Sequence, residues 1–180
     1  MNSLDVLVDA FGRVSSDVHR ALGGPGSDTL GPDELALRVD GTANPVSWLV
    51  WHLTRVQDDH LADLAGAEQT WTADGWSSRF GLPFADGDIG YGHSSEQVDT
   101  VARTVVDPAL LLGYLDATQE RTVAYLRTLT DADLDAVIDD AWDPPVTRGV
   151  RIISVVDDDI QHAGQAAYTA GIARGRRARR

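Results

Sequence analysis

The 180-residue sequence contains no cysteine. This absence excludes disulfide bonds, thiolate ligands to a metal ion and a cysteine nucleophile. Any metal must therefore be held by histidine, aspartate or glutamate. Any thiol chemistry must use a thiol that a substrate brings, because the protein has no thiol of its own.

Long hydrophobic runs are also missing. No apolar stretch approaches the roughly 20 residues that cross a bilayer, and residues 1–13 do not resemble a signal peptide because they carry two aspartates and few apolar side chains. The hydrophobic share of 43% is ordinary for a globular protein. We therefore expect a soluble, cytoplasmic protein with no membrane partner, most simply one domain over residues 1–180.

Basic residues are scarce. The chain has 15 lysines and arginines against 28 acidic residues, which gives a net charge of −13. Such a surface repels a phosphate backbone, so a nucleic-acid partner is not expected. The exception is the arginine-rich tail at residues 174–180, which we interpret as a frayed, solvated helix end rather than an anion site.

Apolar residues recur at three- and four-residue steps in four segments, which is typical of amphipathic helices. Glycines and a proline at residues 23–26 end the first segment, and Asn44 with Pro45 is a helix-start signal for the second. A short strand at Val146 and Thr147 has no evident partner. The four predicted helices cover approximately residues 4–22, 45–64, 108–129 and 148–173.

The connection between the second and third helices is long and irregular. Residues 67–105 carry five glycines and several aromatic side chains, and a connection of this length is usually functional or disordered. The aromatic residues favour an ordered loop that packs over something, and a second subunit is one alternative, so a homodimer stays open. Together these features predict an all-α antiparallel four-helix bundle with a long ordered crossover loop.

The strongest indication of function lies in the last helix. Asp158 precedes His162 by four residues, which places a carboxylate and an imidazole one turn apart on one helix face. His52 lies within an otherwise apolar part of the second helix. A lone histidine there is more often a core residue, but bundles build metal sites from inward-pointing residues of facing helices. Three ligands and one open position would make a catalytic site.

Several neighbouring residues are alternatives or additions to this triad. Asp159 and Asp157 compete with Asp158 for the acid position. Asp159 lies three residues before His162 and so can share its helix face, whereas Asp157 lies five residues before and points elsewhere. Asp59 and His60 are candidates for the mouth of the same pocket, since His60 lies about 12 Å along the helix from His52 and cannot share its ion. Gln165 is a candidate contact to a ligand or to substrate.

Residues 44–53 (NPVSWLVWHL) and 158–165 (DDIQHAGQ) resemble the DinB-like superfamily of metal-binding four-helix bundles. That family has a histidine on its second helix, and an acid or histidine four residues before a His-x-Gly-Gln-like segment on its last. The resemblance implies that His52, Asp158 and His162 are metal ligands, with an aspartate where the isomerase branch has glutamate. Within the superfamily the chain is most similar to the actinobacterial thiol-transferase branch, which includes mycothiol-dependent maleylpyruvate isomerase and mycothiol S-transferases.

This resemblance implies a transferase that uses a divalent metal, with zinc expected, to activate a mycothiol-like thiol for attack on an electrophilic substrate. Nitrogen and oxygen ligands without sulfur suit zinc, nickel, iron and manganese nearly alike. Two other functions stay open. One is a non-catalytic stress protein that binds a metal or an apolar ligand, and the other is a metal-dependent hydrolase in which Asp59 or His60 acts as base.

Overall fold

The computed structural model describes residues 2–23 and 28–179. The predicted all-α class is confirmed, since helices dominate and the strands form one short pair. The elements are α1 Ser3–Leu22, α2 Pro32–Leu35, a 3-10 turn Val39–Gly41, α3 Val46–Ala65, α4 Thr70–Ala73, α5 Trp76–Phe80, α6 Ser95–Thr104, α7 Pro108–Leu126, α8 Asp131–Leu134, β1 Val137–Asp139, β2 Val146–Thr147 and α9 Arg148–Arg177.

The predicted signals after the first helix and before the second lie within one or two residues of the observed helix ends, whereas α7 ends at Leu126, three residues before its predicted end. Helix α1 ends at Leu22, and Gly23 follows with a φ of 125°. The remaining glycines and proline of that predicted stop lie outside the described residues. Helix α3 starts at Val46, so Pro45 precedes the helix rather than opening it.

The four long helices α1, α3, α7 and α9 form the bundle, in which α9 and α7 each pack against both α1 and α3. One core cluster joins the start of α1 and α9 to the end of α3 and α7, through Phe11, Ile152, Leu61 and Leu126. Helices α1 and α9 therefore run parallel to each other and antiparallel to α3 and α7.

This arrangement explains the long crossover. Because α3 and α7 run in the same direction, the chain must return along the whole bundle before α7 begins, which is about 30 Å for a 20-residue helix. Residues 66–107 make this return and are more helical than the sequence predicts. Helix α6 was missed, although Ser94 and Gln97 form a capping box and Val98 and Val101 supply a buried face.

A buried arginine of α3 holds the crossover against the bundle. Arg55 is fully buried and donates hydrogen bonds to the carbonyl oxygens of Asp86 and Asp88, at 2.7 and 3.2 Å, and to Oε1 of Gln69 at 2.8 Å. Its guanidinium also lies 4.8 Å from the ring centre of Trp71. The crossover is thus tied to α3 near its start and again near its middle.

Asp58 supplies the countercharge to this arginine. Its carboxylate lies 3.7 Å from Arg55 and accepts hydrogen bonds from the backbone N–H groups of Thr70 and Trp71 and from the hydroxyl of Tyr114. Burial raises the pKa of that Tyr114 hydroxyl well above its usual value. Buried charges cost less when they are paired and hydrogen-bonded, as these are.

The strand at Val146–Thr147 does have a partner, contrary to the sequence analysis. Val137–Asp139 pairs with it antiparallel, and Thr147 then caps α9 by accepting a hydrogen bond from the backbone N–H of Val150. The partner was missed because a three-residue strand has no readable alternation. None of the described helices is both long and apolar enough to span a bilayer.

Helix α9 continues to Arg177, through part of the tail that the sequence analysis treats as frayed. Arg174 donates hydrogen bonds to the carbonyl oxygens of Ala21 and Asp28, and Arg177 pairs with the carboxylates of Asp28 and Glu34. These contacts fasten the helix end to the region after α1. They add to the favourable position of cations at a helix C-terminus.

Candidate metal centre

The antiparallel packing of α3 against α9 brings His52, Asp158 and His162 together. One potential ligand atom from each residue lies within 4.8 Å of the other two. His52 is buried, and the side chains of His162 and Asp158 are 18% and 36% exposed. A histidine from one helix thus meets a carboxylate–histidine pair from another, as the sequence pattern predicts.

The distances suit a small divalent ion. His162 Nε2 lies 3.6 Å from Asp158 Oδ1, and two ligands bound at about 2.1 Å to a tetrahedral ion lie roughly 3.4 Å apart. The other carboxylate oxygen of Asp158 is buried and has no hydrogen-bond partner among the residues that the structure describes. Buried polar atoms without a partner are rare and call for an explanation, which a bound cation would supply.

The crossover loop orients His52. The Nδ1 of His52 lies 2.5 Å from the carbonyl oxygen of Ile89, and because a carbonyl can only accept, Nδ1 carries the proton. The Nε2 lone pair is then free for a metal, which is the usual arrangement of a histidine ligand. The indole of Trp48 stacks on the face of the His52 ring at a centroid distance of 4.5 Å.

His162 is held in the same way by a residue of its own helix. Its Nδ1 lies 3.1 Å from Oε1 of Gln165, which leaves Nε2 on the side of Asp158. The rings of His162 and His52 meet edge to face at 4.9 Å. Gln165, a candidate pocket residue from the sequence, is therefore placed as the hydrogen-bond acceptor for one of the predicted ligands.

The electrostatics of the three groups are coupled. Burial lowers the pKa of His52, so this imidazole is neutral and available as a ligand at pH 7. Burial acts against the charged forms of Asp158 and His162 too, but their mutual hydrogen bond and attraction outweigh it. The pKa of Asp158 is lowered and that of His162 is raised as a result.

His52 and Asp158 also line a cavity of about 250 Å³. Its other walls come from α3, from the crossover loop and from the first three turns of α9. The further lining residues are Val56, His60, Ile89, Tyr91, Arg151, Ser154 and Val155.

Of the two residues predicted for the mouth of the pocket, only His60 lines this cavity. Burial lowers the pKa of His60. Asp59 lies 3.9 Å from His60 but accepts a hydrogen bond from Gln69, and so belongs to the contacts that hold the crossover. The structure thus separates two neighbouring residues that the sequence treats alike.

The alternative acids do not reach the cluster. Asp159 is fully buried in the bundle, and neither of its carboxylate oxygens has a hydrogen bond to the described part of the chain. Burial raises its pKa well above the usual value. Asp157 accepts a hydrogen bond from Gln161 on the exposed face. Between these two, Asp158 is the acid that faces both histidines.

Residues of the crossover loop complete the surroundings of the site, and sequence reasoning missed most of them. His93 accepts a hydrogen bond at Nδ1 from the indole N–H of Trp48, and its Nε2 lies 3.0 Å from Asp88. His93 therefore positions the ring that stacks on His52. The run of glycines and aromatics around residues 80–93 was the available signal, but it gave no contact partners.

Comparison with known proteins agrees with this architecture. The sequence pattern of the DinB superfamily matches residues 27–166. The chain belongs to the DinB superfamily. Proteins of this superfamily often bind a divalent metal.

A crystal structure of a conserved protein from Enterococcus faecalis is similar to this DinB-superfamily chain, with 30% sequence identity and a TM-score of 0.85. The similarity covers 97% of this chain and 99% of the other. A search of curated proteins finds no match.

Proposed function

We propose that this DinB-superfamily protein is a metal-dependent transferase that activates a low-molecular-weight thiol, such as mycothiol, for attack on an electrophilic substrate. The observation that carries the proposal is the group of three ligand atoms beside a cavity of about 250 Å³. A structural zinc site is closed by four protein ligands, whereas three ligands leave a position for a substrate.

The chemistry divides between the ion and the side chains. When bound, a divalent ion, for which we propose zinc, lowers the pKa of a coordinating thiol. His60 lines the cavity and accepts the thiol proton, because its buried imidazole is neutral at pH 7. The sulfur then forms a bond to the electrophilic carbon as the bond from that carbon to its leaving group breaks. The leaving group departs with the electron pair of that bond and takes up the proton that His60 holds. The absence of cysteine fits this function, since no side chain competes for the electrophile.

The test is elemental analysis of the purified protein, followed by a conjugation assay with mycothiol and a fluorogenic electrophile. We expect one metal ion per chain and thiol-dependent turnover, and we expect His52→Ala to lose both. His19→Ala is the matched control, because His19 is a partly exposed histidine of α1 that pairs with Asp116 of α7 and is not one of the three candidate ligands. Protein without stoichiometric metal, or unchanged conjugation by His52→Ala, would contradict the proposal.

The same experiment separates the two alternative functions. Hydrolysis of esters or amides without added thiol would favour a hydrolase in which His60 activates water. Bound metal without turnover of any thiol–electrophile pair or ester would favour a non-catalytic binding protein.

A further inference from the structure

One positive side chain lines the cavity beside the metal ligands. Arg151 extends from the second turn of α9, and within the described part of the chain it forms neither an ion pair nor a hydrogen bond. Its neighbour Arg148 lies 4.0 Å from Asp133 and donates to the carbonyl of that residue. An unpaired arginine is unexpected in a chain with 28 acidic residues and a net charge of −13.

Arg151 and the metal ligands share one face of α9. Asp158 follows Arg151 by seven residues, which is two helical turns or about 10.5 Å along the axis. Ser154 and Val155 line the same cavity between them. The cavity thus has an acidic end with the candidate metal ligands and a cationic end at Arg151, with Ser154 and Val155 between them.

Asp158 is the carboxylate among the described residues that line the cavity, and it lies two helical turns from Arg151, at the metal-binding end. His60 feels the charge of Arg151, and burial lowers the pKa of both His60 and His52, so these imidazoles are neutral at pH 7. The hydroxyl of Ser154 donates to the carbonyl of Val150 in its own helix. A ligand group that lies beside Arg151 therefore meets one full positive charge with planar N–H donors.

We infer that Arg151 binds a carboxylate of the electrophilic substrate and so places its reactive carbon toward His52, Asp158 and His162. The inference rests on the proposed function for the identity of the ligand, but not for the anion site itself. A guanidinium matches a carboxylate with two parallel hydrogen bonds. A single cation fits a singly charged carboxylate better than a phosphate, which usually collects several donors.

The first test measures binding of a simple probe, glutarate, by NMR titration at low salt. The protein is used both metal-loaded and after chelator treatment. We expect Arg151→Gln to weaken glutarate binding about tenfold in both states, the loss typical of a charge-assisted hydrogen bond at a partly exposed site. Arg151→Lys should restore part of the affinity. Arg103→Gln on α6 makes the same charge change away from the cavity and should bind as the unaltered protein does.

The second test uses the thiol reaction and compares an electrophile that carries a carboxylate with its methyl ester. Arg151→Gln should raise KM for the carboxylate about tenfold and leave KM for the ester unchanged. Equal glutarate binding by Arg151→Gln and the unaltered protein, or an equal loss in Arg103→Gln, would overturn the inference. If chelated protein shows the Arg151-dependent binding but no metal or thiol turnover is found, the anion site stands and the proposed function fails.

Discussion

Gly90 directly follows Ile89, the crossover residue whose carbonyl contacts the candidate ligand His52. It has a φ of +90°, and a Cβ atom there would lie 2.8 Å from Cζ3 of Trp51 and 2.9 Å from Nδ1 of His52. Gly92 has a similar φ of +72° but nothing within 4 Å of its Cβ position. Gly90→Ala and Gly92→Ala therefore share the backbone cost, and only the first also crowds the site.

The expected loss of stability follows from these two costs. A left-handed alanine costs about 1 kcal/mol, and overpacking a buried contact costs about 1–3 kcal/mol more. We expect Gly92→Ala to lower the free energy of unfolding by about 1 kcal/mol and Gly90→Ala by about 2–4 kcal/mol. For a chain of this size, each kcal/mol lowers Tm by about 2–4 °C. Urea unfolding and thermal melting measure both values.

The same pair of variants tests the orientation of His52. Gly90→Ala pushes the loop away, so the carbonyl of Ile89 no longer holds Nδ1 of His52. Loss of such a supporting hydrogen bond typically weakens metal binding about 10–100-fold, and Gly92→Ala should bind zinc normally in a competitive chelator titration. Equal stability losses and equal zinc affinities in the two variants would refute the reasoning, because the crowding at Gly90 would then have no effect.

Four further predictions concern the buried polar groups. Tyr114→Phe should lower the free energy of unfolding by about 1 kcal/mol, and Asp58→Ala by about 3–5 kcal/mol because it leaves a buried charge unpaired, as urea titrations would show. Asp159→Leu should raise stability at pH 7 by about 1–3 kcal/mol, since the carboxyl is buried without a partner, and should keep the metal content. Burial lowers the pKa of His60 in the folded chain below 6.5, so metal-free protein should lose stability as pH falls from 7 to 5, and less so in His60→Gln.

The bundle helices and the proximity of the three candidate metal ligands could be predicted from the sequence for the same reason. Both depend on the spacing of residues within a helix, which can be read from the sequence. Asp158 and His162 lie on one face of α9 whichever helices it packs against. His52 could be added because a histidine in an apolar segment must find a polar partner. His52 then lies near Asp158 and His162 if its helix packs beside the last one.

The surroundings of the site could not be predicted, because they depend on contacts across the crossover. No spacing rule connects Ile89 to His52, or Arg55 to the carbonyl groups at residues 86 and 88. Every residue has a backbone carbonyl whatever its side chain. Hydrogen bonds that the loop makes through its carbonyl groups therefore leave no pattern in the sequence. Arg151 was missed because, without the cavity, it resembles any arginine in a helix.

The position of the ligands on α3 and α9 has a consequence for a chain that has no covalent cross-link. His52 and Asp158 are 106 residues apart, and a metal held by both would join the second long helix of the bundle to the last. A clip that closes so long a loop removes much of the freedom of the unfolded chain. We expect chelators to lower the unfolding temperature of the whole bundle, as reducing agents do for a disulfide-bonded protein, while the metal-free chain stays folded below that temperature.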